Sequence, residues 1–233
     1  MGKLLAVLIL VLFSMNSVAL ERKNLADISL KELLADTQAQ PEGTKDRHIT
    51  FVWWVPFEYW ASVFARDPDL PDAVRAEMLK VLKKHTVLAV VQADVSPIGT
   101  FHYYSEEDVV NNLGVSYTSG SKKEIFLTPE ENEAGDMQLL MSQVSPIMQA
   151  AMGNLGANLH FFIYSDLNEN GKRVIDPYKE GLLKVELSNN DGEKLHVEYP
   201  TPLNSLFVPR KCPNGKGAHI SWNYCPWSGE KIN

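Results

Sequence analysis

The stretch His48-Ile49-Thr50-Phe51-Val52-Trp53-Trp54-Val55 runs straight into Pro56 and then Phe57-Glu58-Tyr59-Trp60-Ala61-Ser62-Val63-Phe64-Ala65-Arg66, and its reading decides the fold. The first eight residues are mostly β-branched or aromatic, which suits a strand. Pro56 has no N–H to give to a ladder and its fixed φ suits the start of a helix. Beyond it, Phe57, Trp60, Ala61 and Phe64 share one helical face. The hydrophobic period therefore changes from two to 3.6 across a single proline.

The same alternation continues downstream. Asp67-Pro68 ends the first helix, and Pro71 opens a second, to about His85, with Val74, Met78, Leu79 and Leu82 on its apolar side. Val87 to Val95 is a β-branched run read as a central strand covered on both faces. Thr100 to Tyr104 is a short strand. Ser105 caps a helix whose first turn holds Glu106, Glu107 and Asp108. Val115 to Thr118 and Ile125 to Leu127 flank a hairpin turn, and Asp136 caps a long helix containing Pro146. Strands then dominate: Leu159 to Tyr164, Leu182 to Leu187 and Lys194 to Tyr199, the last two joined by Asn189-Asn190-Asp191-Gly192. These elements predict an α+β fold with a mixed β-sheet, helices packed mainly on one face, and a small disulfide-pinned hairpin module at the C-terminus.

Four segments follow from this reading. Residues 1–19 form a signal peptide, 20–46 a polar helical and linker segment, 47–208 the α+β domain, and 209–233 a ribbon-like tail. The signal peptide rests on Lys3, an apolar run from Leu4 to Phe13, and small residues at Ser17 and Ala19, with cleavage expected after Ala19. That run is about half the roughly twenty residues a membrane span needs, so no transmembrane segment is expected after cleavage. Within 20–46, Leu30, Leu33 and Leu34 give one short helical turn capped by Ser29, and Gln38 to Lys45 reads as a linker.

The composition is that of a globular protein, with 45% hydrophobic and 22% charged residues and a formal charge of −7. No basic stripe is present, which argues against nucleic acid as a partner. Cys212 and Cys225 are the only cysteines. An even count in an exported chain reads as a disulfide.

Templates for catalysis are absent: there is no G-x-S-x-G, H-E-x-x-H, P-loop or G-x-G-x-x-G. Ser119-Gly120-Ser121-Lys122 fits S-x-x-K by letter but sits in a hairpin turn. The six histidines show no i, i+4 pair. Asp166-Leu167-Asn168-Glu169-Asn170-Gly171 follows the opening of a calcium loop, and Asp166, Asn168, Asn170 and Asp176 are its candidate ligands. The twelfth position is Pro177 instead of a bidentate Glu, so the loop departs from an EF-hand and reads as a looser Asp/Asn loop that holds any calcium weakly. The competing reading is a plain turn. The aromatics Phe51, Trp53, Trp54, Phe57, Tyr59 and Trp60 are read as core, with a ligand-binding wall around Glu58 as the alternative.

Two resemblances attach to these residues. The segment Val52 to Trp60 resembles an aromatic-rich V-W-W-V-P-x-E-Y-W stretch of uncharacterised secreted bacterial proteins, which implies a bacterial envelope address and no activity. The tail, with Lys211-Cys212-Pro213-Asn214-Gly215 and Tyr224-Cys225-Pro226-Trp227-Ser228-Gly229, resembles a degenerate zinc ribbon. Asn214 or Gly215, and Ser228, stand where the second cysteine of each knuckle belongs. Two thiolates and His219 fall short of the four ligands of a structural zinc site, so a disulfide takes the metal's place. The expected protein is a periplasmic or secreted, non-catalytic envelope protein that binds a partner or ligand. The alternatives are a hydrolase-like enzyme whose site assembles only in three dimensions, and a weak calcium binder.

Overall fold

A computed structural model describes residues 20–41, 47–121, 123–130 and 135–232. The signal-peptide reading for 1–19, the second half of the linker, and Lys122 lie outside the described residues. The fold is α+β, built in three layers: helices, a first sheet and a second sheet.

Strand β3 (His85–Val95) is the centre of the first sheet. Its run Thr86 to Ala93 is buried, because one face meets helices and the other meets the second sheet. On one side it pairs antiparallel with β2 (His48–Val55), from Val55↔Val87 to His48↔Asp94. Its other side is shared. The first half pairs with β7 (His160–Ser165), the end with β4 (Phe101–Tyr103). The second sheet has the order β6-β5-β8-β9, formed by β5 (Gly114–Ser119), β6 (Glu124–Leu127), β8 (Gly181–Ser188) and β9 (Lys194–Thr201). All ladders between these strands are antiparallel.

Alternation divides the aromatic segment between two cores. Val52 and Trp54 join Leu88, Val90, Phe162 and Tyr164 against Tyr117, Leu183, Val185, Val197 and Tyr199 of the second sheet. Trp53 and Val55 face the other way, onto Trp60 and Phe64 of α2 (Phe57–Phe64), Leu82 of α3 (Asp72–Leu82) and Met137, Leu140 and Met141 of α5 (Asp136–Ala151). Helices α2, α3 and α5 thus cover one face. Burying a side chain the size of Leu88 stabilises by about 2 kcal/mol. One polar bond ties the two sheets, Tyr199 Oη donating to the Val52 carbonyl at 2.9 Å, and another lies within the first sheet, Trp54 Nε1 donating to Thr86 Oγ1 at 2.8 Å.

Local signals were followed closely at some ends and not at others. Ser105 caps α4 (Glu106–Asn111) in a reciprocal capping box with Asp108. The Asn189–Gly192 turn closes the β8–β9 hairpin, with Gly192 at φ +77°. Gly135, not Asp136, is the N-cap of α5, and its missing side chain makes no cap bond. Val74, expected on the apolar side of α3, is 47% exposed.

The N-terminal segment is more integrated than a linker. Gln38–Ala39 form a strand, β1, on the edge of β2. Before it, α1 (Leu30–Thr37) buries Leu33, and Ser29 accepts the Glu32 N–H. Ile28 is fully buried. Lys23 N–H donates to the Leu206 carbonyl at 3.0 Å, and Asp36 accepts the Ser205 N–H at 2.8 Å. Backbone groups supply the β1 pairing and the Lys23 and Ser205 N–H donors, which is why a polar composition does not announce them. At the other end, β10 (Arg210–Lys211) and β11 (Gly217–Ala218) form a small hairpin, and Cys212 and Cys225 are disulfide-bonded. Cys212, Ala218, Cys225 and Ile232 make a core of their own.

Candidate ligand site

A cavity lies where α2 begins, where α3 ends, and where the loop after β7 doubles back. Pro56 places Glu58 in the first turn of α2, facing inward with 2% exposure. Asp166, the residue after β7, is fully buried. Its N–H donates to the Lys84 carbonyl at 2.8 Å, which ties the loop to the end of α3. The loop then turns. Asn168 Oδ1 accepts the N–H groups of Asn170 and Lys172, both at 3.0 Å, and Gly171 takes φ +67°. That turn returns Arg173 over Asp166.

Arg173 joins two carboxylates 115 residues and seven residues away. Nη1 and Nη2 donate to Glu58 Oε1 and Oε2 at 2.6 and 3.1 Å, the bidentate geometry that favours Arg. Nε donates to Asp166 Oδ2 at 2.7 Å, and Asp166 Oδ1 accepts the Ile175 N–H at 2.7 Å. Burial pushes the Asp166 carboxyl up to about 6, against the pull of Arg173 and the Ile175 N–H, and Glu58 adds to the rise. Burial pulls on Arg173 in the opposite sense, but Glu58 and Asp166 outweigh it and raise its pKa above the usual guanidinium value. Arg173 therefore stays charged and its charge is met inside the protein.

Above this triad opens a cavity of about 800 Å³, within the size range of small-molecule sites. Leu25, Phe57, Leu167 and Tyr178 give it apolar walls, and Arg22, Lys23, Lys80, Lys83 and Lys84 surround them. Lys23 pairs with Glu32 at 3.1 Å and Lys80 with Glu77 at 3.5 Å. Arg22 lies over the Tyr178 ring, 4.1 Å from its centroid. Burial, then Glu58, pushes the Tyr178 hydroxyl up to about 12. Arg22, Lys83 and Lys84 have no ion-pair partner among the described residues.

The residues singled out from sequence are distributed as follows. Asp166 is in the triad, and Asn168 caps its own turn. Asn170 is exposed. Asp176 Oδ1 accepts the Tyr178 N–H at 3.0 Å, and its Oδ2 pairs with Lys179 at 2.6 Å. Burial raises the Asp176 carboxyl, but Lys179 and the Tyr178 N–H outweigh this and hold it below its ordinary value. The calcium-like letters thus serve a turn and an ion triad, and among the described residues no cluster of three or more His, Cys, Asp or Glu is placed to hold a metal. Ser119 and Ser121 bond each other on an exposed turn. In the sequence Glu58 stands as a solitary acid, with nothing local to point to its partner Arg173 or to the dibasic pairs Arg22-Lys23 and Lys83-Lys84 as neighbours. Those pairs were visible in the sequence, but their convergence was not.

The histidines do not gather with Glu58. His160 lines a separate cleft of about 600 Å³ and bonds the Tyr104 carbonyl through Nε2 at 3.0 Å. His102 is exposed on β4. His48 has the geometry of a catalytic triad's base, with Nδ1 2.9 Å from Asp94 and Nε2 2.7 Å from Thr50 Oγ1. Thr50 is 2% exposed, so its hydroxyl meets no substrate. Tyr104 and Asn190 complete this network on Asp94, at 3.1 and 3.0 Å, and lock the β8–β9 turn to the first sheet. Comparison with known proteins finds no matching family model, no matching curated protein and no matching solved structure.

Proposed function

We propose that this is an exported, non-catalytic binding protein whose ligand is a small anion with an apolar body, held in the cavity above Arg173. One observation carries the reading. On a chain of net charge −7, Arg22, Lys83 and Lys84 stand at one apolar-walled cavity without ion-pair partners among the described residues. Cations concentrated around low-dielectric walls attract and retain anions. The N-terminal signal pattern and the Cys212–Cys225 disulfide support export.

The walls dictate how the ligand lies. Arg173 is saturated by Glu58 and Asp166, so the floor does not need a second anion. Leu25, Phe57 and Leu167 accept the apolar part, while Arg22, Lys83 and Lys84 meet the charge.

Titration calorimetry with octanoate, octylamine and inorganic phosphate tests this. Octanoate is expected to bind, with the other two at least tenfold weaker. Lys83→Glu/Lys84→Glu is expected to weaken octanoate about tenfold or more, since each lost or reversed partly desolvated contact contributes roughly 1 kcal/mol or more. Octylamine binding as well as octanoate, or an unchanged affinity in the double variant, would refute the assignment.

A further inference from the structure

The C-terminal module carries a second surface that the cavity does not explain. It is fastened internally: besides the disulfide, Cys225 N–H donates to the Glu230 carbonyl at 2.8 Å and Ile232 N–H to the Asn223 carbonyl at 3.0 Å. Arg210 donates to the carbonyls of Ile220, Trp222 and Ile232. Ile220 joins the main core, and its N–H donates to Asn204 at 2.9 Å. The module is a rigid knob, not a loose tail.

On that knob, Trp222, Tyr224 and Trp227 are 37%, 62% and 51% exposed. Single exposed aromatics are ordinary, but these lie within six residues, and the two indoles touch edge to face at 5.8 Å. Cations accompany them. Lys216 Nζ sits 4.9 Å from the centroid of Trp227, and Lys231 is the bridge partner of Tyr224. Lys211 is adjacent in the β10–β11 hairpin. With Arg210, Lys211, Lys216 and Lys231 against Glu230 alone, residues 209–232 are three units positive, on a chain of −7.

We propose that this face docks on an anionic lipid surface. Charge complementarity selects the occupant. Trp and Tyr favour the headgroup level, where one end of the ring is apolar and the other wet. Lysines beside them add about 1 kcal/mol each at an anionic leaflet. Charge elsewhere on the chain is screened beyond a Debye length of about 8 Å, so the knob's own sign governs close approach. No helix of the described residues is long and apolar enough to cross a membrane, and the contact proposed is peripheral.

The tryptophans provide their own readout. Trp53, Trp54 and Trp60 are at most 5% exposed, so acrylamide quenching of the full chain reports on Trp222 and Trp227. Phosphatidylglycerol vesicles are expected to shield the quenchable fraction, phosphatidylcholine vesicles to leave it open, and 0.5 M salt to restore it. Lys216→Glu/Lys231→Glu, both exposed and outside the module's core, is expected to weaken vesicle binding about tenfold or more. Trp222→Ala/Trp227→Ala, which removes the quenchable indoles themselves, is expected to abolish co-sedimentation of the protein with phosphatidylglycerol vesicles. Unaltered quenching on anionic vesicles, equal shielding on both lipids, or no effect of the lysine reversals would overturn the proposal. Shielding by an insoluble polysaccharide but not by vesicles would replace the lipid with a saccharide.

Discussion

Replacing Arg173 with Met isolates the triad's contribution. The side chain makes three charged hydrogen bonds, of 2.6, 2.7 and 3.1 Å, to carboxylates whose side chains are 3% and 0% exposed. Met fills similar volume but leaves Glu58 and Asp166 as two unpaired buried acids. Removing one partner of a buried pair costs about 3–5 kcal/mol, a large share of the roughly 5–15 kcal/mol that holds a domain folded. Protonation caps the loss: neutralising an ordinary carboxyl at pH 7 costs about 4 kcal/mol, but only about 1.5 kcal/mol at pH 5. The sign follows from linkage. Asp166 already has a folded pKa raised to about 6, so in the wild type its contribution is full below the unfolded carboxylate value and is lost as pH rises to about 6. Arg173 holds the Asp166 carboxyl down against burial, so without Arg173 that carboxyl rises further and the falling limb extends to higher pH. Urea unfolding at pH 5 and pH 8 should therefore show a deficit in Arg173→Met that is about twofold larger at pH 8. Glu58→Gln/Arg173→Met should recover part of it. A deficit under about 1 kcal/mol, or one equal at both pH values, would show that the triad does not hold this loop.

Three other outcomes are expected. Calcium, if it binds at Asp166, Asn168, Asn170 and Asp176, does so at about 10⁻⁴–10⁻³ M, so millimolar calcium raises stability by only about 0.4–1.4 kcal/mol; submicromolar calorimetric binding abolished by Asp166→Ala would contradict this. Cys212→Ser/Cys225→Ser, which opens a loop with a sequence separation of 13, costs on the order of 3 kcal/mol, read as faster proteolysis of the tail while near-UV dichroism of the main domain persists. Export with cleavage after Ala19 leaves Leu20 as the first residue by mass spectrometry, and a chain retaining Met1 in the membrane fraction would exclude it.

The legibility of the fold varied with the range of the interaction. β2 and β3 were readable because a continuous apolar run declares itself buried, and the β8–β9 hairpin because Asn189 to Gly192 determines a turn locally. The capping box of Ser105 and Asp108 is equally local. A continuous run such as Val87 to Val95 does not say what covers each face, so the second sheet behind Leu88 and Val90 was invisible. The β1 pairing was hidden because backbone bonds carry no side-chain signature. The candidate site was the least legible part. Asp166 and Asn168 stand out in the sequence as calcium-loop letters, and nothing in that pattern shows that they also bend the chain so that Arg173 meets Glu58.

That geometry separates what holds the cavity from what fills it. Glu58, Asp166 and Arg173 form a closed set in which every charge has a buried partner, and their work is to place Leu167 and Gly171 at the cavity wall. Arg22, Lys83 and Lys84 lie on the exposed side of the same cavity and make no ion pair that the fold depends on among the described residues. Perturbing the two sets should therefore give opposite signatures. Arg173→Met should lower stability strongly, and octanoate affinity should fall only with the folded fraction. Lys83→Glu/Lys84→Glu should lower affinity with a stability change within about 0.5 kcal/mol, as for ordinary surface substitutions. A lysine variant that unfolds the protein, or an Arg173 variant that stays fully folded yet loses octanoate, would mean that the floor of the cavity, and not its rim, receives the anion.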